Sequence, residues 1–150
     1  MGVRQRTQVA LDLIKFTNVP NDLFDNAVPL ARGQVKQPIF DEEGKGIGER
    51  DMTLEEIKEA LERVARNVRG YRNMITNFLK VPEYSQLAQD GLGALGGTLG
   101  EIQGDIQSLN GVAGWVEAKL KTADSSEDLN AIADYIEKNV PKLSLVRKAK

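Results

Sequence analysis

Apolar residues recur through residues 54–78 at spacings of 3, 4, 3, 4, 3, 4 and 3: Leu54, Ile57, Leu61, Val64, Val68, Tyr71, Ile75 and Phe78. Such a pattern keeps every apolar side chain on one stripe of an α-helix, and it places none of them usefully on a strand. A helix with one long stripe has to bury it against another helix. A second run supplies the partner: Leu92, Leu95, Leu99, Ile102, Ile106, Leu109, Ala113, Val116 and Leu120 repeat the same spacing. The link between the two is short and holds Pro82, which disfavours helix at the residue before it and suits a first helical position. The spacing predicts an antiparallel heptad hairpin of helices at about 53–80 and 83–121. Its seam is Leu54, Ile57, Leu61, Val64, Val68 and Ile75 against Leu92, Leu95, Leu99, Ile102, Ile106 and Leu109.

Start signals agree with these elements. Thr53 with Glu56 three residues on makes a capping box. Ser125 or Ser126, followed by Glu127 and Asp128, opens a third helix over about 126–139. Leu129, Ile132, Ala133 and Ile136 form its stripe, and Pro141 follows its end. The fold class is therefore all-α. Residues 51–140 form the helical domain and residues 141–150 a short basic tail. Residues 1–50 carry Pro20, Pro29 and Pro38, then Gly33, Gly44, Gly46 and Gly48. Proline breaks helices and glycine loosens the chain, so this segment is expected to be an extended N-terminal arm with spaced hydrophobic anchors.

Eight of the 14 glycines lie between residues 91 and 114. Within a helix each costs about 1 kcal/mol relative to Ala. Gly93, Gly97, Gly100, Gly104 and Gly111, spaced 4, 3, 4 and 7, make a second stripe. The expectation is one helix contacted on two faces, with leucines against its hairpin partner and glycines closely packed against another subunit. A helix that breaks at the glycines is the competing reading.

Composition excludes much chemistry. The chain has no Cys and no His, and only 8 of its 150 residues are aromatic. Thiolate nucleophiles, zinc ribbons and the commonest general base are absent. Gly44-Lys45-Gly46-Ile47-Gly48 lacks the Lys-Ser/Thr ending of a phosphate loop and reads as a turn. Asp41, Glu42, Glu43, Glu49 and Asp51 lack EF-hand spacing. No catalytic, cofactor-binding or metal residue is assigned, no cofactor is expected, and no run is apolar enough for a membrane span.

The net charge of -2 conceals blocks: residues 41–60 sum to -5 and residues 61–80 to +4. Arg63, Arg66, Arg69 and Arg72 recur every third residue. Phosphate is one partner for such a stripe and acidic side chains are the favoured one. The expected function is non-catalytic: a structural or assembly subunit of a large oligomeric complex, above all a virion protein such as a bacteriophage capsid or tail accessory. Its partners would be copies of itself and other structural proteins, its place the virion after synthesis in the host cytoplasm, or otherwise the cytoplasm. A helical adaptor or chaperone holding a partner helix is the alternative, and a DNA-associated packaging protein using the arginines and the basic tail is the second.

Overall fold

A computed structural model describes residues 3–140 of the chain. It is about three-quarters helical, with five helices and one small two-stranded sheet. The helices are α1 (Val3–Ala31), α2 (Leu54–Leu79), α3 (Pro82–Ala94), α4 (Leu99–Leu120) and α5 (Ser126–Asn139). The strands β1 (Lys36–Phe40) and β2 (Gly46–Asp51) form an antiparallel hairpin between α1 and α2. The basic tail expected at 141–150 lies outside the described residues.

The N-terminal segment is not an extended arm. Val3–Ala31 is one helix that packs against α3, α2, α5 and α4. The physical reason is a stripe that its prolines disguise. Ala10, Leu13, Thr17, Pro20, Phe24, Ala27 and Ala31 are all buried, and they follow the same alternation of 3 and 4. Pro20 sits on the stripe itself, where burial offsets the lost hydrogen bond. Thr17 is buried with its hydroxyl donating to the Leu13 carbonyl at 2.9 Å, so the one polar side chain on the stripe has a partner. Gly33, at φ +73°, then ends the helix. The Gly33 and Gln34 amides donate back to the carbonyls of Leu30 and Pro29, the two bonds of a Schellman turn.

α2 begins at the Thr53 cap, whose side chain accepts from the Glu56 amide while the Glu56 carboxylate accepts from the Thr53 amide. It runs antiparallel to α4. Arg69 meets Glu117, while residues earlier in α2 line the same groove as Leu120 and Lys121.

The second arm of the expected hairpin is two helices, not one spanning 83–121. α3 stops at Ala94 and α4 starts at Leu99. Gly96 takes φ +78°, and the amides of Gly96 and Gly97 donate to Gly93 and Leu92 in another Schellman turn. Thr98 then caps α4 by accepting from the Glu101 amide at 3.2 Å. At adjacent glycines the left-handed turn is cheap, and a ready N-cap follows immediately.

The core is continuous. Ile57, Leu61, Val68 and Ile75 of α2 are buried with Leu92 of α3 and with Ile102, Ile106 and Leu109 of α4. Leu54, Val64, Leu95 and Leu99 pack at its edge. α5 closes the bundle through Leu129, Ile132, Ala133 and Ile136. Trp115 stacks flat on Tyr135, with ring centroids 3.8 Å apart, and joins α4 to α5. Arg32, just past α1, reaches Asp134 at 2.7 Å and Glu137 at 3.3 Å.

Candidate interaction surfaces

Three surface features stand out once the core is closed. The first is the hairpin. Its turn is built by Asp41, whose carboxylate accepts from the amides of Glu43 and Lys45, each at 2.9 Å. Gly44 takes φ +84° in that turn. The glycines of the phosphate-loop look-alike thus serve hairpin geometry. A bulge at Ile47 lets Phe40 pair with Gly46 and Ile39 with Gly48. Every residue of β2 is exposed. At the far end Phe40 is 60% and Ile47 is 63% exposed.

The base of the hairpin is held firmly. Arg50 grips both carboxylate oxygens of Glu56, at 2.7 and 2.9 Å, and Lys36 pairs with Asp51 across the strands. Glu56 therefore serves the cap of α2 and the clamp on β2 together. The Arg50 hydrogen bond, then the Thr53 amide, hold its pKa down at about 2.

The second feature is an apolar groove between α1 and α2. Val9, Leu13, Phe16, Met74, Ile75 and Phe78 line it with Asp12, around a volume of about 330 Å³. Phe16, Val19, Met74, Val81 and Tyr84 are exposed. Tyr84 stacks on Phe78 at 4.9 Å, and Phe16 leans on Tyr71 at 6.5 Å. Two of these exposed side chains, Phe16 and Met74, line the groove, and Tyr84 abuts it through Phe78.

The third feature is the charged outer face of α2. Arg66 pairs with Glu62 at 3.0 Å and Arg69 with Glu117 at 2.7 Å. Arg63 is exposed, while Arg72 is half-buried, donates to Asn73 at 3.0 Å and keeps its Nε buried without a partner. A groove of about 600 Å³ runs beside this face, between α2 and α4.

The glycine stripe is not brought together on one helix. Gly93 lies on α3, Gly97 in the turn, and Gly100, Gly104 and Gly111 on α4. Gly93, Gly104 and Gly111 are exposed, and a Cβ on any of them would meet nothing within 4 Å. The glycine that does permit close helix contact is Gly91, set against Arg6 and Ala10 of α1. Sequence reasoning missed it because its partner helix was not foreseen. Phe16 and Phe40 fall among the hydrophobic anchors expected of an extended arm but stand exposed on α1 and β1, while Ile47, in the segment read as a turn, and Met74, outside the seam, carried no assigned surface role.

Among the described residues, no three His, Cys, Asp or Glu side chains gather as a metal site, and no helix is long and apolar enough to cross a membrane. No family model, curated protein or solved structure matches the chain.

Proposed function

We propose that this chain is a non-catalytic assembly subunit of a large oligomeric complex, with a virion as its setting and a bacteriophage capsid or tail accessory role in view. The observation that carries the reading is the hairpin. A two-stranded hairpin alone is marginal in water. This one is clamped at its base by Arg50 and Glu56, yet presents Phe40 and Ile47 to solvent at its far end. Apolar side chains at the end of an anchored projection favour insertion into a neighbouring protein. The free strand edges offer backbone hydrogen bonds to the same neighbour. In this reading the hairpin takes the part first expected of an extended arm. Gly100, Gly104 and Gly111 leave an uncovered strip on α4 that a neighbour can approach closely.

The test is the double variant Phe40→Ser with Ile47→Ser. Both side chains are exposed, so the fold and its melting temperature should be kept. Assembly of the full chain, followed by light scattering and electron microscopy, should be lost. Unchanged assembly of this variant would remove the hairpin from the function.

One observation favours a second reading, a helical adaptor that holds a partner helix. The α1–α2 groove is apolar, elongated along two helices and rimmed by Phe16 and Met74. Such grooves suit one face of an amphipathic helix. Met74→Asp would abolish partner capture in this case and leave hairpin-driven assembly intact. The DNA-packaging reading is not favoured, because Glu62 and Glu117 lie beside Arg66 and Arg69 and their negative charge repels phosphate.

A further inference from the structure

α2 is divided by charge. Residues 54–62 hold four Glu and one Lys, whereas residues 63–79 hold four Arg and no acid. The helix dipole accounts only for acids in the first turn, since its influence fades within a turn. Arg63 and Arg66 sit in mid-helix. The outward positions at heptad spacing are Glu55, Glu59, Glu62, Arg66, Arg69 and Asn73, and all six are exposed. Their partners within the chain leave charge over. Glu62 and Arg66 pair along one helix while 59% and 68% exposed, Arg69 pairs with Glu117 of α4, and Glu55, Glu59 and Arg63 make no ion pair among the described residues.

We propose that this face is the contact of a two-fold dimer, in which α2 of one copy packs antiparallel on α2 of a second about an axis midway between Glu62 and Arg66. An isologous interface requires a surface complementary to itself. An axis midway between residues 62 and 66 sets Glu62 of one copy opposite Arg66 of the other, and Glu59 opposite Arg69, each pair occurring twice. Parallel packing would set Glu on Glu and Arg on Arg, so charge selects the antiparallel arrangement. The groove of about 600 Å³ beside α2, with Leu120 in its wall, gives the second helix a concave seat. Lys58 is the one residue of the acidic half with the opposite sign. Neither the hairpin nor the α1–α2 groove takes part, so the dimer stands or falls apart from the proposed assembly role.

Exposed ion pairs are weak singly and are screened at high salt. The dimer should therefore dissociate as salt rises, with affinity falling about tenfold or more between low salt and about 0.5 M. Sedimentation velocity on the full chain tests this with Arg66→Glu plus Arg69→Glu and with Glu59→Lys plus Glu62→Lys. Each variant alone should be monomeric, and an equimolar mixture should form a heterodimer. Circular dichroism verifies the fold, and Arg66→Gln plus Arg69→Gln, which should also weaken the dimer, replaces the arginine reversal if that fails to fold. A wild-type monomer at low salt, variants that associate like wild type, or a mixture that stays monomeric would each overturn the proposal. Duplex DNA is run as a probe in parallel. DNA binding lost in the arginine variants, with sedimentation unchanged in its absence, would assign the stripe to phosphate instead. Loss of the heterodimer leaves the Phe40/Ile47 assembly result untouched, so the two readings fail separately.

Discussion

Gly91 and Ala10 set the approach of α3 to α1. A Cβ on Gly91 would come within 2.9 Å of the Ala10 Cβ and would overlap the Arg6 carbonyl. The two backbones touch because neither residue has more than a methyl group to place between them. Gly91→Ala should therefore destabilise the chain by about 1–3 kcal/mol, as overpacking a tight contact does. Gly104→Ala and Gly111→Ala should act in the opposite sense. Both positions lie within α4 and face open space, so each alanine should add about 0.5–1 kcal/mol. Urea unfolding of the three variants checks the contrast. A stabilising Gly91→Ala would refute the close approach.

The Arg50–Glu56 clamp makes part of the stability depend on acid pH. Glu56 is depressed from 4.5 to about 2, chiefly by the Arg50 hydrogen bond. A carboxylate held below its unfolded value contributes fully above that value and loses its contribution as pH falls through the folded one. The loss should thus fall between about pH 4.5 and pH 2. Glu56→Gln should flatten this portion of the melting-temperature profile while leaving the neutral-pH fold helical. Parallel profiles for the wild type and the variant across that window would exclude the clamp as a source.

Asp105 works in the reverse direction. Its Oδ2 is buried without a hydrogen-bond partner. Burial, and secondarily the charge of Glu101, pushes its carboxyl up. The ionised form is disfavoured in the folded chain, so this group adds stability as pH falls through its raised folded value. Asp105→Asn should stabilise the protein by about 1 kcal/mol at neutral pH. The gain should shrink in acid, where the native carboxyl is itself neutral. Thermal melts at neutral and acid pH give the comparison, and a gain that grows on acidification would contradict this account.

The elements differ in how openly they stand in the sequence, for physical reasons. α2 is legible because its stripe consists of Leu, Ile and Val, and because Thr53 and Glu56 mark its start. α1 carries the same spacing but fills it with Ala10, Thr17, Pro20, Ala27 and Ala31, residues whose burial is set by what packs on them. Two prolines at about 3 kcal/mol each in a helix interior argue strongly for a break, and only the contacts of α1 with four other helices outweigh them. The glycine segment was ambiguous because one composition serves a close-packed helix and a Schellman turn alike. Gly96 and Gly97 adopt the turn, with Thr98 and Glu101 to restart the helix. The hairpin was hidden because its strands bury little, and patterns of alternation report burial. The surface groove could not be foreseen without α1, since Phe16 and Met74 meet only in the folded chain.

Pro20 allows a direct test of why α1 is a helix at all. It is buried on the stripe between Thr17 and Phe24, and it removes the amide that the Phe16 carbonyl would otherwise accept from. If the stripe alone holds α1 in place, the proline is a cost that packing outweighs. Pro20→Ala then restores a backbone donor, improves helix propensity and gives up only the burial of a few ring atoms. The net effect should be a gain of about 1 kcal/mol, with helical circular dichroism equal or higher. If instead the helix must bend at this point to meet α2, α3 and α5 together, the straighter alanine helix would lose contacts along its whole length. Chemical denaturation separates the two cases, because a fall in stability of Pro20→Ala would identify Pro20 as part of the packing geometry.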